Sequence, residues 1–351
     1  MHSWREKIVG GALVLWAALY AFARPGTGPG SADPDRSVRK TIVPGGCRIA
    51  YRWTDTKGLV RSIELAISDA DLAESEQALG FPIEDLRRHL LEAEARIRRE
   101  RGLSALDIAK RAVSDAPVPA GFQVSQAPAR DFEFVLKSDL PEWTAGEAEA
   151  ASIISAFEQR WEATHKEVEE RLRAELKKYA EAHGMRLASG GLAVDYRRLV
   201  RASSARMKPI AEAFRRSFGP SKAGLLAALH SFVQAIPYRP TPAVDGGRFC
   251  SGVDVPLRVL VDDNGDCDSK AVLFAALWLR LSNYRVILIR VPEHMLAGVA
   301  VPLLPGSSLT FQSVRYLLLE MNCEGPAPPG QISAYAADAL AQGNFRYIIV
   351  N

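Results

Sequence analysis

The chemistry in this chain starts at one cysteine. Asn264-Gly265-Asp266-Cys267-Asp268-Ser269-Lys270 runs straight into the apolar stretch from Ala271 to Trp278, which sets Cys267 at the mouth of a buried helix. Unpaired backbone N–H groups and the positive end of the helix dipole favour an anion there, so the spacing predicts a thiol that loses its proton readily and becomes a nucleophile. A helix and a strand later comes His294, which opens the apolar run to Pro302, and after it Glu320, inside the run from Val314 to Asn322. A carboxylate at the end of an apolar strand needs a partner. Cysteine, histidine and acid in that order, on helix, strand and strand, make a nucleophile, a base and a group that orients the base. The competing readings are a buried structural cysteine, a core histidine, and a zinc site. The last of these lacks any close ligand pair such as Cys-x-x-Cys or His-x-x-x-His.

The elements that must position these residues are legible around them. Asn264-Gly265 supplies a tight turn before the helix, and Asp268 and Ser269 suit its first turn. Arg285 to Val291 is apolar and β-branched and reads as a strand, with Pro292-Glu293 turning the chain into the strand that His294 opens. Val314 to Asn322 alternates poorly, as a buried strand does.

Four segments taken together resemble the transglutaminase-like superfamily of papain-type cysteine enzymes, in its microbial branch. They are Phe232-Val-Gln-Ala-Ile-Pro-Tyr238, Gly265-Asp-Cys-Asp-Ser-Lys-Ala-Val-Leu273, His294-Met-Leu-Ala-Gly-Val299 and Tyr316-Leu-Leu-Leu-Glu-Met-Asn322, covering about the last third of the chain. The resemblance implies Cys267 as nucleophile, His294 as general base and later acid, and Glu320 where such enzymes more often carry Asp. Asn322, two residues on and on the same face by strand alternation, is the alternative orienter. Acyl transfer also needs donors for the developing oxyanion. The Cys267 backbone N–H is one, and Gln234 and Tyr238 are the side-chain candidates. The implied fold is α+β, with the nucleophile helix packed on an antiparallel sheet. The implied activity is that of a cysteine peptidase or acyltransferase on protein or peptide amide bonds, without a cofactor or a metal. The alternative is a catalytically silent module of the same fold that binds an envelope protein; Met295, where many active relatives carry Ala-Trp after the histidine, favours it.

Composition frames the rest. With 351 residues, 48% of them hydrophobic, the chain fills one large or two modest cores. A net charge of +3 gives no argument for nucleic acid, and there is no Gly-rich phosphate loop. The apolar stretch from Ile8 to Ala23 follows Trp4-Arg-Glu-Lys7 and precedes a Gly/Pro-rich break, so residues 1–23 read as a membrane anchor or an export signal. As a helix it spans about 24 Å, short of a hydrocarbon core of about 30 Å but workable with snorkelling flanks. Either way the body lies outside the cytoplasm, periplasmic or at the cell surface, tethered or secreted. In that setting a Cys250–Cys323 disulfide is a candidate brace for the site.

After a linker at 24–38, the sequence divides into an accessory α+β region at 39–140, a long helical region at 141–219 and the catalytic domain at 220–351. Strands are expected over Thr41–Val43 with Cys47–Trp53, over Leu59–Ile67 and over Phe132–Leu136. A helix is expected from Phe81 to Arg101, and a Pro/Ala-rich linker around 116–128. Thr144 with Glu147 forms a capping box. Ile154, Phe157, Trp161, Val168, Leu172, Leu176 and Tyr179 then mark a helix of about 60 Å that ends at Gly184. Its apolar stripe is expected to pack on the helix around Tyr196 to Phe218, with a protein partner on a coiled coil as the sharper reading. His165 and His183 are expected on its surface.

Overall fold

A computed structural model describes residues 36–101, 122–126, 132–136, 146–189, 191–302, 304–322 and 325–351. The chain opens with strands β1 (Ser37–Val43), β2 (Gly46–Thr54) and β3 (Val60–Ser68), then helix α1 (Asp69–Gln77), the short β4 (Phe81–Pro82) and helix α2 (Ile83–Arg101). A hairpin of β5 (Phe122–Gln126) and β6 (Phe132–Leu136) precedes the long α3 (Gly146–Ala182) and the hairpin of β7 (Met185–Ala188) and β8 (Gly191–Val194). Next come α4 (Tyr196–Arg206), α5 (Lys208–Phe218), α6 (Lys222–Ala235), the short β9 (Val244–Asp245) and β10 (Arg248–Phe249), and α7 (Pro256–Asp262). Helix α8 (Cys267–Leu281) leads into β11 (Val286–Val291), β12 (His294–Val299), β13 (Ser308–Phe311) and β14 (Val314–Glu320), closed by α9 (Ala334–Ala341) and β15 (Arg346–Ile349). The fold is mixed α+β, and the paired strands are antiparallel.

Among the described residues the chain forms two compact units, one of 36–83 with 180–351 and one of 84–179. This differs from the sequence-based division, because the first three strands belong with the site. Alternation along β2 buries Cys47, Ile49, Tyr51 and Trp53, and along β3 it buries Ile63, Leu65 and Ile67. The rings of Tyr51 and Trp53 lie edge-on to Phe232 of α6 at 5.0 and 5.2 Å, and Phe214 of α5 meets the same ring at 5.3 Å. The Trp53 indole N–H donates to Ser231 Oγ at 3.1 Å, and the Tyr51 hydroxyl donates to the Leu260 carbonyl in α7. Arg36 clamps the carboxylate of Asp263, a left-handed residue (φ 54°) that ends α7 just before the nucleophile turn.

Helix α8 is apolar on every side, and all but three of its fifteen residues are buried. It packs on β11 and β12 on one side and on α4 to α7 on the others. The sheet runs in the order β13-β14-β12-β11-β15. Its opposite face, carrying Ile287, Ile289, Leu296, Tyr316 and Leu318, is covered by Ala336 and Ala339 of α9. Gly298 leaves room on this face for the side chains of the neighbouring strands: a Cβ there would come within 2.9 Å of Ile287 Cγ1.

In the unit of 84–179, α2 and α3 run antiparallel. His89 meets Tyr179 ring to ring at 4.8 Å, Arg96 pairs with Glu175 at 2.9 Å, and Glu100 pairs with Arg171 at 3.7 Å. Val168 and Leu172 therefore pack on Ile97 of the preceding helix, whereas the sequence reading looked to the following one. The antiparallel return of α2 supplies the apolar partner closest in register. His165 is half-buried, and burial together with Arg98 pushes its pKa down. His183, at the start of the other unit's chain, packs edge-on against Phe81 at 5.6 Å. Neither is the plain surface residue that was expected. The segment read as a Pro/Ala-rich linker contains β5, which pairs with β6. Thr144 and residues 1–35 lie outside the described residues, as do the side chains of Ile154, Phe157 and Trp161. Among the described residues no helix is long and apolar enough to cross a membrane.

Candidate active site

The turn that carries Cys267 is built by Asp266. Its backbone is extended (φ −80°, ψ −178°), its carboxylate accepts the Ser269 N–H at 2.8 Å, and its carbonyl accepts the Lys270 N–H at 3.0 Å, so Cys267 is the first residue of α8. The turn is pinned from outside by Tyr238, whose strand segment bridges Gly265: Gly265 N–H donates to Pro237 O at 3.2 Å, and Arg239 N–H donates to Gly265 O at 3.3 Å. Lys270, fully buried one turn into the helix, donates to the carbonyls of Gln234 (3.3 Å) and Ile236 (2.8 Å). These are the last turn of α6, whose unpaired carbonyls suit a cation.

His294 opens β12 directly after the two-residue turn Pro292-Glu293, with Glu293 at φ 56°. Its Nε2 lies 2.8 Å from Glu320 Oε1 across the β12–β14 pair. Glu320 is almost wholly buried, which by itself raises a carboxyl pKa. The bonds from His294 and from the Ser333 backbone N–H outweigh that and hold it below its usual range. Ser333, the cap of α9, gives its N–H to Oε2 at 2.5 Å and its hydroxyl to Oε1 at 2.9 Å. An ionised carboxylate can only accept, so Nε2 carries the imidazole proton, and Nδ1 of the neutral ring is left as the basic nitrogen. Cys267 reaches the same corner, where its Sγ accepts the backbone N–H of Met295, the residue after His294.

The thiol itself departs from expectation. Its pKa is pushed well up, first by burial, then by the carboxylates of Asp268 and Asp266. The Sγ–H donates to Asp268 Oδ1 at 3.4 Å, and the Tyr196 hydroxyl of α4 donates to Oδ2 of the same carboxylate. Asp266 is pushed up to about 7 by burial and then by Asp268. The helix terminus therefore does not win: enclosure and two adjacent acids outweigh a dipole contribution of about 1 kcal/mol.

No family model, curated protein or solved structure matches the chain. The geometry has to speak for itself, and it sorts the remaining candidates. Asn322 follows the last residue of β14, in a bend, and Glu320 is the residue on the imidazole. Gln234 sits one layer behind: its Nε2 donates to the Glu320 carbonyl at 2.8 Å and its Oε1 accepts the Ala327 N–H at 3.2 Å. It braces the acid strand. Tyr238 is half-buried, its backbone bridges Gly265 two residues before Cys267, and burial together with Cys267, Asp266 and Asp268 pushes its phenol up to about 12. Cys250 is a free thiol whose Sγ–H donates to Pro242 O at 3.1 Å, and Cys323 lies outside the described residues. Among the described residues no group of three or more His, Cys, Asp or Glu gathers as a metal site.

His230 is a buried histidine that sequence reading passed over. Its Nε2–H donates to the Glu320 carbonyl at 3.0 Å, Nδ1 is buried without a hydrogen bond, and burial pushes its pKa down to about 4. The unfolded chain takes up this proton near pH 6.5 while the native state refuses it until about 4. Stability is therefore intact above about pH 6.5 and falls as pH drops between those values, by about 3 kcal/mol in all. Urea unfolding at pH 7 and at about 4.5 is expected to show that slope in the parent and a much shallower one in His230→Gln.

Proposed function

We propose that the chain is a transglutaminase-like cysteine peptidase or acyltransferase acting on protein or peptide amides through Cys267, His294 and Glu320. The observation that carries the reading is the His294 Nε2–Glu320 Oε1 bond of 2.8 Å on a carboxylate triply held by His294 and Ser333, at the corner where Cys267 Sγ meets Met295 N–H. A fixed carboxylate on one ring nitrogen leaves the other aimed for proton transfer. Cys267 attacks the amide carbon, His294 Nδ1 takes the thiol proton and returns it to the leaving amine, and water or an amine resolves the thioester. The Cys267 N–H, unpaired at the helix start, and the Tyr238 hydroxyl are the candidate oxyanion donors. The proposed setting is outside the cytoplasm, with residues 1–23 as tether or export signal.

A second reading has its own support. The thiol rests protonated against Asp268, as it would in a silent module that binds an envelope partner. A pool of peptidyl vinyl sulfones, followed by intact mass and peptide mapping, separates the two. Catalysis predicts a single adduct on Cys267 whose formation slows about tenfold in His294→Ala; absence of labelling, or labelling indifferent to His294, favours the silent module.

A further inference from the structure

The nucleophile has a neighbour that the triad does not use. Asp268 directly follows Cys267, and its two oxygens are divided between the Cys267 Sγ–H (3.4 Å) and the Tyr196 hydroxyl brought in by α4. We propose that Asp268, held by Tyr196, keeps the proton on Cys267 at rest, so that the nucleophile is unmasked only when substrate turns the S–H bond toward His294. This rests on the acyl-transfer reading and specifies how its nucleophile is controlled.

The groups around the sulfur agree. From α8 come Asp268 and Asp266, from the segment after α6 the Tyr238 phenol, from α4 Tyr196 through its bond to Asp268, and from β12 the Met295 N–H, the residue after His294. Arg290 of β11 makes its charge felt at Tyr196, and Lys270, one turn along α8 from Cys267, is engaged by the carbonyls of Gln234 and Ile236. A standing thiolate would face two carboxylates, whereas a neutral thiol satisfies Asp268. The proton therefore leaves in step with attack. As the S–C bond forms, the S–H pair stays on sulfur and the proton passes to His294 Nδ1, the carbonyl π pair moves to oxygen, and the same proton later departs on the leaving amine as C–N breaks. Water then cleaves the thioester and restores the S–H bond. A nucleophile guarded in this way is spared small soluble oxidants and alkylators, because thiolates are the reactive form.

The two partners of the restraint act in opposite directions. In Asp268→Asn the sulfur loses an adjacent negative charge, and iodoacetamide alkylation of Cys267 in the full chain in detergent is expected to quicken about tenfold at pH 7, its profile moving down by about a unit. In Tyr196→Phe the carboxylate loses its other donor and holds the thiol more tightly, so alkylation slows several-fold. A parent-like or slower rate in Asp268→Asn, or a parent-like or faster rate in Tyr196→Phe, overturns the proposal; if thermal melting shows Asp268→Asn unfolded, Tyr196→Phe decides alone. A protein that takes the peptidyl vinyl sulfone but shows neither shift overturns the restraint alone. One that shows both shifts and never takes the peptidyl probe overturns the catalytic reading on which it rests.

Discussion

On the proposed acyl-transfer mechanism, replacing Glu320 with glutamine is expected to lower kcat roughly 10³-fold while leaving KM close to that of the parent and lowering the melting temperature only by the loss of charge-assisted hydrogen bonds, about 1.5–3 kcal/mol. The substitution keeps the volume of a buried side chain, so packing is preserved. What changes is the donor–acceptor balance. Glu320 accepts from His294 Nε2, from the Ser333 backbone N–H and from the Ser333 hydroxyl. An amide has one acceptor oxygen and one NH₂ group, so whichever way it turns, a donor faces a donor. If the oxygen stays on the Ser333 N–H, the NH₂ group opposes His294 Nε2–H, and the ring relieves this by carrying its proton on Nδ1. The basic nitrogen is then the one facing the amide, and Nδ1, the proposed proton acceptor, is already occupied. A wrong-tautomer base of this kind costs about 10²–10⁴ in rate, the effect seen when the orienting acid of a triad becomes its amide. Steady-state kinetics on a peptide substrate read it directly, and a change of less than about fivefold would remove Glu320 from the mechanism.

The same three residues show why part of the site was legible in the sequence. Cys267, His294 and Glu320 each sit at the start or end of a buried apolar element, and it is the apolar runs themselves, more than their exact ends, that hydrophobic patterning makes legible. The choice between Glu320 and Asn322 follows the same logic, since β14 ends at Glu320 and the chain bends before Asn322. Residues that act across the fold left no such mark. Tyr196 reaches the site from 72 residues before Asp268 and Ser333 from a helix cap 13 residues after Glu320, and nothing in the spacing ties either to its partner. The direction of the thiol's pKa was hidden for a related reason. The helix terminus is visible in one dimension, but burial and the aim of two carboxylates are not. Gln234 was read toward the oxyanion because it lies near the nucleophile in a familiar segment, yet its amide is engaged by backbone at Glu320 and Ala327. Strands β13 and β15, four residues each, are too short for alternation to announce them.

The division into domains suffered most from a linear reading, and it leads to the second large effect. A fragment of 220–351, the catalytic domain as the sequence delimits it, is expected to lack a cooperative melt. It would keep α8 but lose α4 and α5, whose Leu199, Val200, Ile210 and Phe214 are buried in the same unit. It would also lose β2, leaving Phe232 without Tyr51, Trp53 and Phe214 and leaving Ser231 and the Leu260 carbonyl without their donors. Each large apolar side chain uncovered costs about 1.5–3 kcal/mol, against a total stability of about 5–15 kcal/mol for an ordinary domain. Four or five such losses come to about 6–15 kcal/mol, as large as the whole stability of such a domain. The opposite excision should succeed. Gly80 N–H donates to His183 O at 3.0 Å, and Gly184 lies against the Ala78 carbonyl, so the chain leaves for 84–179 and returns from it at adjacent points. Joining residue 83 to residue 180 through a short Gly/Ser linker closes a small loop at little entropic cost. Circular dichroism with thermal melting is expected to show one cooperative transition for the joined protein and none for 220–351. A well-folded 220–351 would mean that the first three strands and the helices from Tyr196 to Phe218 cover the site without holding it together.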